Sequence, residues 1–146
     1  MPIQLFEAQY TDRLGGPMIK SNAFDYINVL DKAADASWLR NDAIANNLAN
    51  VSTPGYKRED ITFEKELTKA LKHSDYHTMD AKVKHLTTDQ LQARTYKDYN
   101  SLSYRLDGNN VDPETESVML AKNQIKYEGL LNSINTEFSN LRSVMK

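Results

Sequence analysis

Apolar residues recur at alternating three- and four-residue intervals in two long stretches, one towards each end of the chain, and lose that rhythm between them. The first row runs Ile27, Leu30, Ala34, Ser37, Asn41, Ile44, Leu48 and Val51. Spacing of this kind, sustained over several heptads, draws one seam along a helix. Ser37 and Asn41 interrupt the seam midway, while Phe24, Trp38 and Ala45 lie along its edge and widen the apolar stripe, which predicts more than one neighbour for the helix. Ser21 or Asn22 can cap its start, with Asp25 in the first turn. The second row runs Leu120, Gln124, Tyr127, Leu131, Ile134, Phe138, Leu141 and Met145. Asp112-Pro113-Glu114 opens that helix with a capping acid, a proline at the first helical position and a further acid. Gly129 inside it costs about 1 kcal/mol against alanine and predicts a close helix approach there. Each helix of about 30 residues would be roughly 45 to 50 Å long.

Between the two rows the periodicity is weak. Ile61 and Phe63 alternate with Asp60, Thr62 and Glu64, predicting a short extended segment, and Leu67, Ala70 and Leu71 continue from Phe63 as a short helix. Residues 72–100 are polar, and a mobile state that orders only against neighbours is expected for them. Marginal β-structure is expected over residues 91–106, where Ala93, Tyr96, Tyr99, Leu102 and Tyr104 are irregularly spread.

The fold class that follows is mainly α, with two long terminal helices pairing as a coiled-coil-like bundle around a short, irregular, β-containing middle. Four parts are expected. Residues 1–20 form a flexible arm ending near the Gly15-Gly16-Pro17 breaker, 21–52 the first long helix, 53–106 the turn and middle region, and 107–146 the second long helix, which makes one structural unit with the first.

The first helix runs into a hard stop at Ala45-Asn46-Asn47-Leu48-Ala49-Asn50-Val51-Ser52-Thr53-Pro54-Gly55-Tyr56. Asn46, Asn47 and Asn50 compete for local backbone hydrogen bonds at a helix exit. Pro54 disfavours helical geometry at Thr53, and Gly55 tolerates positive φ, so Thr53 to Tyr56 reads as a type II turn. On turn chemistry alone this is a C-terminal cap. The run nevertheless resembles the N-terminal signature of bacterial flagellar axial proteins, the rod, hook and hook-associated proteins, and about a dozen specified residues make a far more specific match than a short phosphate-loop pattern. A second stretch carries the resemblance further, through Gly108-Asn109-Asn110-Val111-Asp112 and then Ala121, Asn123, Gln124 and Tyr127, and is similar to the proximal-rod members of that family.

Composition narrows the alternatives. Eighteen basic against 20 acidic residues give a formal charge of −2, so no global field points to nucleic acid or an anionic membrane. The absence of cysteine removes disulfides, thiolate metal sites and a cysteine nucleophile together. No run is long and apolar enough to span a bilayer, and no N-terminal segment reads as a secretory signal, so the export that the resemblance implies is expected to proceed without a cleaved signal peptide. His73, Asp75 and His77 alternate, which on a strand would place three potential ligands on one face, but the segment has no strand pattern, and a solvated loop is the better reading. Lys57 and Arg58 beside Glu59 and Asp60 read as solvated charges. Asn50-Val51-Ser52 matches a glycosylation acceptor but sits on a helix end. The middle tyrosines lack the basic groove that base stacking needs, so packing is their better role.

The resemblance implies a non-enzymatic structural subunit of the proximal rod of the flagellar basal body, assembling helically through its terminal helices to transmit torque and line the export channel. It implies no cofactor and no catalytic or metal residues. The partners it implies are further copies and other rod proteins, the base ring and proximal adapter protein, and the flagellar type III export apparatus, with no nucleic acid and no direct membrane insertion. The residues it marks for assembly are Ala45 to Asn50, Thr53 to Tyr56, Gly108 to Asp112, Ala121, Asn123, Gln124 and Tyr127, together with the helix seams. Two rivals of other classes are a soluble coiled-coil adaptor or regulator, which would satisfy both seams without a polymer, and a small metal-dependent enzyme built on His73, Asp75 and His77.

Overall fold

A computed structural model of the chain describes residues 22–86, 91–99 and 106–145. The expected N-terminal arm, Ser21, Leu102 and Tyr104 lie outside the described residues. Helix α1 (Asn22–Ala49) leads through the turn into strand β1 (Glu59–Ile61) and helix α2 (Phe63–Lys72). Helix α3 (Met79–Lys84), strand β2 (Thr95–Lys97) and the long helix α4 (Pro113–Val144) follow. At 1.5 Å per residue α1 and α4 are about 42 and 48 Å long.

The two long helices pair antiparallel, since Asn47 near the end of α1 bonds Glu116 near the start of α4, while Ser37 and Asn41, midway along α1, meet Asn123. On α1 the predicted seam faces inward. Ile27, Ala34, Ser37 and Ile44 are buried and Leu30, Asn41, Leu48 and Val51 half-buried. A second buried row, Ala33, Ala36 and Ala43, turns towards the middle region, whose core joins Ala33 and Ala36 to Ile61, Phe63 and Leu91. Alanine and serine on these rows let neighbouring backbones approach closely, while Leu39, Leu67, Ala70, Leu86, Ala93 and Leu130 pack around the cluster. Phe24, Trp38 and Ala45, expected to widen the stripe, are exposed on the single chain.

On α4 the inward row differs from the predicted one. It passes through Glu116, Leu120, Asn123, Tyr127, Leu130, Ile134 and Leu141, so Gln124 is exposed, and Leu131 and Phe138 are 39% and 51% exposed on the flank. The three-four spacing counted from Leu120 admits Asn123 or Gln124 next and Leu130 or Leu131 after Tyr127, and a buried asparagine bonded to α1 leaves no apolar signal to choose between them. Gly129 is exposed, and a Cβ built there would have no atom within 4 Å, so the expected close approach is not made among the described residues.

The middle is small but organised. β1 and β2 pair antiparallel, with Glu59 opposite Lys97, Asp60 opposite Tyr96 and Ile61 opposite Thr95. α2 turns Phe63, Leu67 and Ala70 inward, as the sequence predicts. α3 has no counterpart in the sequence reading. It is capped by the Thr78 side chain, which accepts from the Ala81 amide at 3.3 Å, and it buries Val83.

Candidate functional site at the junction of the two signatures

The end of α1 unwinds in steps. The Asn50 amide donates to the Asn46 carbonyl at 3.1 Å, Asn50 Nδ2 to the same carbonyl at 2.9 Å, and the Thr53 amide to the Asn50 carbonyl at 3.0 Å. Gly55 then takes φ +72°, and the Tyr56 amide donates to the Thr53 carbonyl at 3.3 Å, the geometry of a type II turn with glycine at its third position. The second signature comes to rest against this turn. The Gly55 amide donates to the Asp107 carbonyl at 2.8 Å, Lys57 Nζ donates to the Gly108 carbonyl at 2.7 Å, and Gly108 itself has φ +76°.

Four asparagines of the signatures convert this contact into a lock. Asn109 is fully buried, and its Nδ2 reaches the carbonyls of Asn50, Val51 and Thr53 at 3.0, 3.0 and 2.9 Å. These oxygens belong to the turns that follow α1, where two of them also accept backbone amides, Asn50 from Thr53 and Thr53 from Tyr56. Its Oδ1 accepts from the Val111 amide at 2.8 Å, so both ends of the side chain are used. Asn47, also fully buried, pairs its amide group with both backbone groups of Glu59, each at 2.9 Å, as a neighbouring strand would. Asn110 instead bridges the two sides of the ladder at its end, accepting from the Arg58 amide at 2.8 Å and donating to the Asp98 carbonyl at 2.7 Å. Asn123 ties the helices midway, donating from Nδ2 to the Ser37 carbonyl at 2.7 Å and to Asn41 Oδ1 at 2.8 Å.

Beneath the asparagines lies an ion pair that corrects the reading of Lys57 and Arg58 as solvated charges. Arg58 is 8% exposed and Glu116 1% exposed, with Arg58 Nε donating to Glu116 Oε1 at 2.5 Å. Arg58 also reaches Asp60 at 3.3 Å and Asp98 at 3.5 Å, and Glu116 Oε2 accepts from Asn47 Nδ2 at 3.1 Å. Burial alone would lower the Arg58 pKa, but the bond to Glu116 and the nearby carboxylates raise it above its ordinary value. Losing one partner of such a pair strands the other charge and costs about 3 to 5 kcal/mol. The Tyr56 hydroxyl donates to Asn47 Oδ1 at 3.3 Å, and its pKa is raised by burial, then by Glu59 and Glu116. Arg58 and Glu116 stand 58 positions apart, and nothing local in the sequence marks them as partners.

A second charged cluster holds the middle region to both long helices. Arg40 of α1 grips Glu64 of α2 with two bonds of 2.5 and 2.6 Å and also donates to Asp60 at 3.1 Å and to the Ile61 carbonyl at 2.9 Å. Lys126 of α4 pairs with the same Glu64. The bond from Arg40, then that from Lys126, holds the Glu64 carboxyl down to about 2 against the opposing effect of burial. At the start of α4, Asp112 accepts from the Thr115 hydroxyl at 2.6 Å and the Glu114 amide at 3.1 Å, which lowers its pKa.

Chemically, most of these groups satisfy one another, which fixes geometry, while Asn123 Oδ1 and Ser37 Oγ are buried without a hydrogen-bond partner among the described residues. Among the described residues no group of three or more His, Cys, Asp or Glu side chains could hold a metal ion. His73 lies against its own helix through the Lys69 carbonyl at 2.9 Å, and the His85 ring stacks on Tyr76. No helix among the described residues is long and apolar enough to cross a membrane.

The signature residues therefore divide into two sets. Asn47, Asn109, Val111 and Asn123 are buried, and Leu48, Asn50, Tyr56, Gly108, Asn110, Asp112 and Tyr127 are half-buried around the junction. Ala45, Asn46, Ala49, Thr53, Pro54, Gly55, Ala121 and Gln124 are exposed on the single chain.

Residues 27–57, most of α1 and the turn, match the family model described as flagella basal body rod protein. Curated relatives extend the likeness over most of the chain. The flagellar basal body rod protein FlgB of Cereibacter sphaeroides is 32% identical over 123 residues, covering 84% of this chain and 94% of the relative. FlgB of Bacillus subtilis is 29% identical over 120 residues, covering 82% and 92%. FlgB of Escherichia coli is 29% identical over 114 residues, covering 73% and 83%. With the residue match, the paired terminal helices and this coverage together, the chain belongs to the FlgB family of flagellar basal body rod proteins.

Proposed function

We propose that the chain builds the proximal rod by presenting the outward set of signature residues to neighbouring subunits, while the inward set holds its own shape. Family membership makes it a structural component of the basal-body rod. The observation that carries the finer reading is the division of one signature between two environments. Asn47 and Asn109 are consumed inside the chain, yet Ala45, Ala49, Ala121 and Gln124 of the same motifs stand in the open with no partner among the described residues to account for them. Small side chains on an outer helix face allow another helix to come close, and Trp38, Leu131 and Phe138 supply large apolar area for it to cover.

On this reading the chain stacks helically with further copies and other rod proteins, its terminal helices line the export channel, and the assembled column carries torque. The base ring and proximal adapter protein lie below it, and the flagellar type III apparatus delivers it. Ala45→Glu together with Ala121→Glu tests the reading, because both positions are exposed and the free chain should melt as the parent does. Quantitative immunodetection in purified basal bodies should show the variant depleted by at least about tenfold, as buried unpaired charge at an interface costs several kcal/mol. Recovery at the parental level would overturn the proposed role of these faces.

A further inference from the structure

Resting on that reading, we propose that one subunit-to-subunit contact is electrostatic and pairs the outer face of α1 in one copy with the outer face of α2 in the next. The outer stripe of α1 carries Asp31, Asp35, Trp38 and Asp42, all exposed, at intervals of four, three and four residues. The outer stripe of α2 carries Lys65, Lys69 and Lys72, all exposed, at intervals of four and three. Each stripe lies opposite its helix's buried face, Ala33, Ala36 and Ala43 on α1 and Phe63, Leu67 and Ala70 on α2. The two rows therefore point away from each other in one chain and cannot neutralise each other within it.

Their lengths and spacings agree. Asp35 to Asp42 and Lys65 to Lys72 each advance seven positions, about 10.5 Å along a helix. Trp38 falls between the aspartates where a central lysine can lie over its ring. Within the chain Lys65 is near the Tyr96 ring, at 5.8 Å, whereas Lys69 and Lys72 have no ionic partner among the described residues, nor do Asp31, Asp35 and Asp42. The overall charge of −2 hides this separation of one sign onto each face. An acidic stripe and a basic stripe on different faces of the same molecule make a head-to-tail contact, which propagates along a helical array where a two-fold contact would close it. Charged pairs of this sort set register and choice of partner more than raw affinity.

Charge reversal tests the contact in the full chain. Lys65→Glu with Lys69→Glu and Lys72→Glu, and separately Asp31→Lys with Asp35→Lys and Asp42→Lys, should each lower recovery in basal bodies on the order of tenfold, and the combined reversal should restore it to within about twofold. Parental recovery of the single-face reversals would overturn the proposal. A combined reversal as poor as either alone would also overturn it, because the row would then face a different protein. The chain has no cysteine, so Asp35→Cys with Lys69→Cys in an otherwise parental background gives an independent readout that does not depend on reversed charges. A short thiol-reactive cross-linker should yield a ladder of linked copies from basal bodies. Basal bodies that contain the chain but give no ladder would overturn the contact and leave the rod reading standing, whereas absence of the parental chain from basal bodies would overturn the rod reading itself.

Discussion

Asparagine does at this junction what backbone does elsewhere, because its amide offers a donor and an acceptor in the geometry of a peptide group. Asn109 donates to three carbonyls in the turns that follow α1, Asn47 pairs with both backbone groups of Glu59 in β1, and Asn110 bridges Arg58 and Asp98 at the end of the ladder. Leaving the buried Val111 amide without its acceptor costs about 1 to 3 kcal/mol, so Asn109→Ala should destabilise the folded chain by at least that much, as read by urea denaturation. Asn109→Asp should be as damaging, since a carboxylate cannot donate to the three carbonyls, and parental stability in either variant would remove Asn109 from the lock. These residues were legible only as a family match. Helix-exit chemistry alone identifies Asn46, Asn47 and Asn50 as equivalent, although Asn47 alone of the three is buried. Arg58 and Glu116 were not legible at all, because an ion pair between distant positions leaves no trace in spacing, and Glu116 in a first helical turn looks like any dipole-compensating acid.

At the scale of elements, periodicity served α1 better than α4. Every position of the predicted α1 seam is buried or half-buried, including Ser37 and Asn41, which the row kept despite their polarity. On α4 the three-four spacing left the row displaced by one position at Gln124 and Leu131, where Asn123 and Leu130 face inward, because either interval fits the sequence there. The two leucines test this assignment side by side. Leu130→Ala should cost towards the lower end of roughly 2 to 5 kcal/mol in chemical denaturation, since the site is half-buried against the core. Leu131→Ala should stay within about 0.5 kcal/mol of the parent in the free chain, as an exposed position away from special features does. Equal losses would show that the inward face is misassigned. The middle elements were harder to read, because a six-residue helix and three-residue strands are too short for either period to emerge. They are held by Phe63, Leu91 and Val83 and by Arg40, and the contribution of Arg40 is invisible without knowing what α2 packs against.

For the molecule as a whole, the long helices and the middle are joined mainly by charge and amide networks around a modest apolar core, which gives stability a pH dependence. Glu64 has a folded pKa of about 2, below its unfolded value near 4.5, so the unfolded state binds more protons between those values. Its contribution is fully present above about pH 4.5 and is lost as pH falls towards 2. Glu64→Gln should therefore flatten the acid limb of the stability curve in that window, by an amount reduced by solvent screening because the side chain is 46% exposed. An unchanged acid limb would show that the cluster does not couple to folding. On the proposed reading, a chain that closes its own junction with asparagine leaves its exposed alanine faces and its exposed Trp38, Leu131 and Phe138 for other subunits. A density map of the purified basal body with this chain traced in it tests that claim most directly. The account predicts Asn109 beneath the end of α1, Arg58 on Glu116, and Ala45, Ala49, Ala121 and Gln124 covered by neighbouring subunits. A traced chain in which α1 and α4 are separated, or in which those four residues face solvent, would contradict it.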